Sequence, residues 1–413
     1  MEPLPLTADV VIVGGGSIGL STAYALGLRG VSSVVLERGQ IGVGASSGTA
    51  CMVTPSHADR MASPTSLREG LRHLFDAEAP LKLRGRPSEL AWIARFTAAS
   101  ARGNAADSGT AHLRFLARRS LDLHRAWNDA LKTGLVEEGT LNVWTGPNAH
   151  EDRAAVVADQ RAAGMTLIEL DAAAVAELEP SVRNVTVGAL CTDDGHVDSL
   201  GFIQAVAAGA RSVGAEICEN VELMRIDRSG VDLRIETTRG VMTCGHLVLA
   251  AGVWSRHFAD DVGSAIPLTA AKGYHVDYAG ANSEGKRPIY LSDEHVVGTP
   301  LAGRLRLAGT MEIGTDPDLI DVRRVNAIRR AGEHHFEGIT GTEPAAIWKG
   351  LRPLSADSMP LIGPSPSDRR ITIATGHGML GITLGPVSGE LAADCVTGAA
   401  AAPDPLLDPA RFR

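Results

Sequence analysis

The stretch that decides the fold reads Asp9-Val10-Val11-Ile12-Val13-Gly14-Gly15-Gly16-Ser17-Ile18-Gly19. The β-branched run at residues 9–13 has the length of a buried strand. Residues 21–28 keep helical spacing, and residues 33–36 form a second apolar run that Glu37 ends. Together they make one strand–helix–strand unit of about 30 residues. The glycines fit a Gly-x-Gly-x-x-Gly loop placed directly after the strand and directly before the helix. Gly14 permits the tight turn, Gly16 lets the backbone approach a pyrophosphate, and Gly19 lets helix and strand pack closely. Ser17 and Ile18 stand where the helix N-terminus offers N–H groups and a positive dipole. Glu37 is placed to accept hydrogen bonds from both hydroxyls of an adenosine ribose. A carboxylate there disfavours a 2′-phosphate, hence NADP. Arg38 is a neighbouring candidate contact. The bland alternative is a glycine-rich turn with a surface glutamate; strand, helix and acid together favour a dinucleotide. The loop alone does not separate FAD from NAD.

Working outward, the chain has 413 residues, enough for two or three domains at about 150 residues each. Apolar residues make up 44% and charged residues 21%, which excludes wholesale disorder. The net charge of −9 opposes a nucleic-acid partner. Glycine, at 46 residues, is in excess, which suits close backbone approach to a ligand. No apolar run reaches the roughly 18 residues of a membrane span, and no signal peptide is visible. The five cysteines, Cys51, Cys191, Cys218, Cys244 and Cys395, are scattered and hold no Cys-x-x-Cys pair. Neither a disulfide framework nor a metal site is expected, and a reduced cytoplasmic setting is the default. Residues 61–100 read as charged and helical, 111–133 as an amphipathic helix, 200–213 as another. Residues 221–226, 231–237, 241–250 and 289–308 read as strands, 321–336 as a helix, 371–374 as a strand, 380–397 as containing a helix, and 399–403 as a low-complexity tail.

Later segments carry further signals. Gly44-Ala45-Ser46-Ser47-Gly48-Thr49-Ala50 follows the first unit. Asp194-Gly195-His196-Val197-Asp198, Leu249-Ala250-Ala251-Gly252-Val253-Trp254-Ser255 and Arg306-Leu307-Ala308-Gly309-Thr310-Met311-Glu312 come next. Trp348-Lys349-Gly350-Leu351-Arg352-Pro353, with Asp357 and residues 360–363, precedes Gly376-His377-Gly378-Met379-Leu380-Gly381-Ile382-Thr383. In this order, from residue 9 to residue 412, the chain resembles the D-amino-acid oxidase/dehydrogenase family of FAD enzymes, which includes glycine and sarcosine oxidases; the nearest likeness is to bacterial D-amino-acid dehydrogenases. The resemblance implies non-covalent FAD. It implies flavin-side contacts from Ala45, Ser46, Ser47, Ala251, Gly252, Trp254, His377, Gly378, Met379, Gly381 and Thr383, and an adenine contact from the backbone of Leu223. Residues 376–381 follow a strand and are expected to open a helix, whose N–H groups would face the flavin N1–C2=O edge. Trp254 is expected to pack more than to touch flavin, and Arg306 to be structural.

Arg352 falls on the family's carboxylate-binding arginine, and its planar fork suits a carboxylate. Tyr274 is a candidate second donor, and Met52 a candidate substrate contact. The family's usual Asn and Gly are Thr49 and Cys51 here; Cys51 reads as a small buried filler and His57 as a loop histidine. The expected fold class is α/β, a Rossmann-like FAD domain of the glutathione-reductase type with an interleaved α+β substrate domain on an antiparallel or mixed sheet. The FAD domain would take 1–62, 195–265 and 348–413, and the substrate domain 63–194 and 266–347. The expected reaction is hydride transfer from the Cα–N unit of a D-amino acid to flavin N5, giving an imino acid, then a 2-oxo acid and ammonia. No side-chain base is assigned, and no Ser/His/Asp or metal constellation competes. Two rivals stand beside it: an O₂-using amine oxidase of the glycine, sarcosine or cyclic secondary amine type, and a catalytically silent flavin-binding subunit. Expected partners are a small amino-acid or amine substrate and a quinone, a dye-like carrier or O₂ as electron acceptor. A quinone leaves room for loose association with the inner face of a membrane.

Overall fold

In the computed structural model, residues 3–64, 81–83, 86–101, 103–281, 285–399 and 404–413 are described. Two large sheets organise the chain. In the first, parallel strands run in the order Ile371–Thr375, Gly240–Leu249, Thr7–Val13, Ser33–Glu37, Ala215–Glu219. Leu361–Pro364 adds an antiparallel edge. Leu223–Asp227 and Leu233–Thr237 form an antiparallel meander on the first half of Gly240–Leu249. The run at residues 9–13 is apolar at successive positions because both faces are covered. Val10 and Ile12 pack with Leu20, Ala23 and Phe202 under the helices Ser17–Leu28 and Ser199–Ser212, while Val11 and Val13 pack with Leu36, Leu223 and Ile235 on the meander side. The helix Gly385–Thr397 lies against Ser17–Leu28.

The second sheet is mixed, in the order Ala346–Ser355, Leu268–Ala279, Arg304–Ile313, Val296–Leu301, Ile289–Leu291, Thr140–Trp144, Val187–Cys191, Leu167–Asp171. Its pairs are antiparallel except Ile289–Leu291 with Thr140–Trp144 and a short parallel pairing of Leu81–Leu83 on Arg304–Ile313. The helix Val322–His335 covers one face, where Ile328 packs with Tyr274, Val276, Tyr278 and Leu307. The mixed α/β class read from the sequence is the class observed.

Several boundaries differ. The strand Ala346–Ser355 belongs to the second sheet, paired along ten positions with Leu268–Ala279. The division at residue 348 therefore cuts through a strand of the second sheet. The amphipathic helix begins earlier than its apolar pattern, at Gly103–Leu131. Residues 61–100 are not one helical region: a strand at Leu81–Leu83 and a single turn at Pro87–Glu89 precede the helix Leu90–Ser100. The remainder of that region, and residues 400–403 of the alanine tail, lie outside the described residues. The last helix starts at Gly385, with Pro386 in its first turn, so residues 376–384 are turns rather than a helix end.

Candidate active site

A cavity of about 940 Å³ runs from the glycine loop to the cavity face of the second sheet. At one end, Gly14 has φ +111°, and a Cβ there would sit 2.9 Å from the Ala250 carbonyl carbon. A Cβ on Gly19 would overlap the Gly14 carbonyl, so Gly19 serves packing and does not itself line the cavity. Glu37 receives the Gly15 N–H on Oε2 at 2.8 Å and the Gly39 N–H on Oε1 at 2.9 Å. Each oxygen keeps a lone-pair direction for a further donor, as two ribose hydroxyls require. The helix Ser17–Leu28 has no side-chain cap at Gly16. The Ser17 N–H instead donates to Ser46 Oγ at 3.0 Å, and Ser17 Oγ donates to the Gly381 carbonyl at 2.7 Å. Arg38 lies over the Trp254 ring, 3.6 Å from its centroid, and both line the cavity beside Leu223, Ala251 and Gly252. Gly14, Gly16, Ser17, Ile18, Glu37 and Arg38 thus converge.

The middle of the cavity is walled by residues 44–54. Ala45 and Ser46 line it; Ser47 does not, because its carbonyl accepts from Ser199 Oγ and from Arg306 Nη1 and its hydroxyl turns back to the Gly44 carbonyl. Arg306 also reaches the Thr49 carbonyl at 3.3 Å and is fixed by two bonds to Asp277 at 2.8 and 2.9 Å. It is a buried clamp on the loop, with no face to a ligand. His275 Nδ1 lies 3.0 Å from the Gly48 carbonyl, and its ring stacks on Trp348 at 5.0 Å. Burial lowers the His275 imidazole to about 4, so it is neutral and can donate to that carbonyl. Cys51 is fully buried with φ +63°, a conformation that favours glycine, and its N–H donates to Thr49 Oγ1 at 3.1 Å. Thr49 therefore satisfies the turn that Cys51 closes. Met52 lines the cavity, and its carbonyl accepts from Thr383 Oγ1 at 3.2 Å.

His377, Gly378, Met379 and Gly381 line the opposite wall. The Gly378 N–H is taken by the Pro353 carbonyl at 2.9 Å, so this turn is tied to the arginine strand. The His377 imidazole is buried, held 2.9 Å from Ser388 Oγ, and pushed down to about 3 by desolvation. A side chain so enclosed packs behind the wall.

At the far end stands Arg352. Trp348, Gly350 and Arg352 alternate onto the cavity face of their strand. Gly273, on the neighbouring strand, leaves room: a Cβ there would overlap the Arg352 guanidinium. Arg352 Nη1 donates to the Thr310 carbonyl at 2.9 Å. Burial lowers its guanidinium to about 10, and no carboxylate among the described residues acts to raise it back. A half-buried cation that faces a cavity, with no counter-ion among the described residues, suits an anion.

Tyr274 does not join it. Adjacent strand residues point to opposite faces, so with Gly273 toward the cavity Tyr274 points away. Its hydroxyl donates to buried Glu312 at 2.7 Å, and Glu312 also pairs with Lys272 at 3.0 Å and Arg324 at 3.0 Å. Burial and the Glu312 bond push the Tyr274 phenol up. The loop histidine, in contrast, lines the cavity: His57 Nε2 lies 3.0 Å from Asn142 Oδ1, and its ring meets Tyr290 edge-on at 5.0 Å. Sequence reading also passed over Trp348, His275 and Thr310. Trp348 and Thr310 stood inside segments already singled out, and strand parity relative to Arg352 would have placed Trp348. Among the described residues no cluster of three metal-ligating side chains occurs.

The residues present fit a bound dinucleotide: a glycine turn that excludes a Cβ, a doubly bonded carboxylate at the second strand end, and a continuous cavity beyond them. Comparison with known proteins agrees. The family model DAO, FAD dependent oxidoreductase, matches residues 9–395. The chain is 31% identical over 408 residues to the D-amino acid dehydrogenase of Paramagnetospirillum magneticum, covering 94% of this chain and 95% of that protein. It is 27% identical over 391 residues to the glycine oxidase of Bacillus licheniformis, covering 94% and 93%. The crystal structure of glycine oxidase from Geobacillus kaustophilus superposes with a TM-score of 0.77 at 24% identity, over 97% of each chain, and that of L-proline dehydrogenase from P. horikoshii with 0.75 at 19%, over 99% of this chain and 98% of that one. At those identities the two structures speak for the fold. Loop, cavity and family match together place this chain in the DAO family of FAD-dependent oxidoreductases.

Proposed function

We propose that this protein oxidises the Cα–N bond of an amino acid, and that its substrates are D-amino acids handled as by a dehydrogenase. The observation that carries the reading is Arg352, a half-buried guanidinium on the cavity face on which no carboxylate among the described residues acts. The likeness to D-amino acid dehydrogenases supports the substrate class. When bound, FAD supplies a two-electron acceptor at N5. Arg352 holds the substrate carboxylate, which leaves one rotational choice for the rest of the molecule. Met52 and residues 377–381 line the same cavity and limit that choice. The amine binds unprotonated. Cα loses its hydrogen with the bonding pair, the C–N bond becomes double, and the nitrogen sheds a proton to water on the way to the imino acid. Water then gives the 2-oxo acid and ammonia. Orientation supplies most of the acceleration, so no side-chain base is required.

Arg352→Ala should lower kcat/KM on the amino acid by about 10²-fold or more, since removing a desolvated charge partner costs several kcal/mol. Lysine should rescue poorly, because it offers a point charge in place of a fork. FAD content should stay near wild type. Steady-state kinetics on one amino acid and its decarboxylated amine check this, and equal loss on both would remove the carboxylate reading. The second reading, an oxidase of the glycine or sarcosine type, is favoured by the likeness to glycine oxidase. Reoxidation rates with O₂ against a quinone or dye separate the two. No described helix is long and apolar enough to cross a membrane.

A further inference from the structure

A carboxylate has two oxygens and about four lone-pair directions, more than one guanidinium fork fills. Arg352 has already committed Nη1 to the Thr310 carbonyl. Tyr274 is turned away, so a second donor to the carboxylate has to come from elsewhere on the cavity face.

Thr310 carries two unfavourable features at that place. Its φ is +60°, which is an outlier for a β-branched residue. Its hydroxyl is buried and, among the described residues, finds no hydrogen-bond partner. The register explains where the residue sits. Lys272 pairs with Glu312 and Tyr274 with Gly309, so Thr310 and Met311 together oppose Gly273 in a β-bulge. The bulge turns the Thr310 carbonyl onto Arg352, and Thr310 lines the cavity. Glycine would satisfy the same backbone without strain and without a buried hydroxyl. Among the described residues no contact offsets either feature. Strain and an unpaired polar group at a cavity wall point to a use for the side chain.

We propose that the Thr310 hydroxyl is the second donor to the substrate carboxylate, working beside Arg352. The inference rests on the amino-acid reading given above. The carboxylate that pairs with Arg352 supplies the acceptor the hydroxyl lacks. A 120° rotation about χ1 carries the hydroxyl to another staggered position, so no backbone movement is needed to turn it toward the cavity. The bulge then has one purpose: it aims the carbonyl at Arg352 and the side chain at the anion Arg352 holds.

The test is a titration of the holoenzyme with benzoate and acetate, followed by the change in flavin absorbance. Thr310→Val keeps the β-branched shape and removes the hydroxyl. It should weaken benzoate binding about tenfold or more, the size of a lost hydrogen bond to a charged group. Thr310→Ser should stay within about threefold, since it keeps the donor. Thr310→Gly should lose affinity as valine does while melting at a higher temperature than wild type, because the backbone strain is relieved. All three should hold FAD as wild type does. KM for an amino acid should rise in the valine variant in step with the benzoate loss, and turnover of the decarboxylated amine should not change. Wild-type benzoate affinity in Thr310→Val and Thr310→Gly, with binding lost in Arg352→Lys, overturns the role of Thr310 alone. Wild-type affinity in the Arg352 variant as well overturns the carboxylate reading itself. Equal loss on acid and amine moves Thr310 from recognition to structure.

Discussion

Glu37 holds both N–H groups that flank it, at 2.8 and 2.9 Å, before any ligand is added. Its carboxylate is therefore fixed in direction, and a ribose diol meets acceptors already aimed. Glu37→Ala removes those acceptors and leaves the Gly15 and Gly39 N–H groups without their partner. FAD affinity should fall by about 1–3 kcal/mol, the range for hydrogen bonds to a charged group. Titration of the apoprotein with FAD reads this directly, and unchanged affinity would take Glu37 out of the nucleotide site. Glu37 was legible in the sequence because strand, loop and acid share a local spacing. Arg352 was visible through the resemblance around Trp348 to Pro353. Thr310 lies within residues 306–312, but neither its positive φ nor its idle hydroxyl leaves a mark in the sequence.

At the scale of the strand, parity governs what the sequence reveals. Lys272-Gly273-Tyr274 offers a tyrosine three positions from the arginine's neighbour across the ladder, and the pairing of Ala271 with Arg352 places Gly273, not Tyr274, beneath the guanidinium. Which face a strand residue takes depends on the register with its neighbours, and a one-residue step reverses it. The bulge at Thr310 adds a second reversal that no alternation pattern shows. The same physics explains the misplaced boundary at 348, since a strand that pairs with residues far away carries no local sign of which sheet it joins. The parity argument is testable. Tyr274→Phe removes a hydroxyl from buried Glu312, which keeps Lys272 and Arg324. Stability should drop by about 1–3 kcal/mol in denaturant unfolding, with KM for an amino acid unchanged. A raised KM at wild-type stability would return Tyr274 to the substrate.

At the scale of the whole molecule, the two sheets enclose histidines that water cannot reach. His124, His196 and His275 are lowered to about 4 and His377 to about 3, each chiefly by burial. A histidine whose folded value lies below its unfolded value of about 6.5 stabilises the fold fully above that pH. The contribution is lost as the pH falls from about 6.5 toward the folded values, because the unfolded chain takes up the proton first. The shifts correspond to losses on the order of 3 kcal/mol per histidine, so the four together approach the whole stability of an ordinary domain. Asp194 and Glu179, which burial holds above the usual carboxylate range, act in the opposite sense and offset part of the loss. The protein should therefore begin to lose stability below about pH 6.5, above the range where exposed carboxylates titrate. Denaturant midpoints measured from pH 7.5 to 4.5 would show it. His124→Gln removes one of these groups while keeping a donor for the Ile382 carbonyl, which lies 3.0 Å from His124 Nε2. That variant should have a shallower pH slope than wild type. A wild-type midpoint that stays level to pH 4.5 would mean that the histidines charge in place, with water reaching them inside the fold.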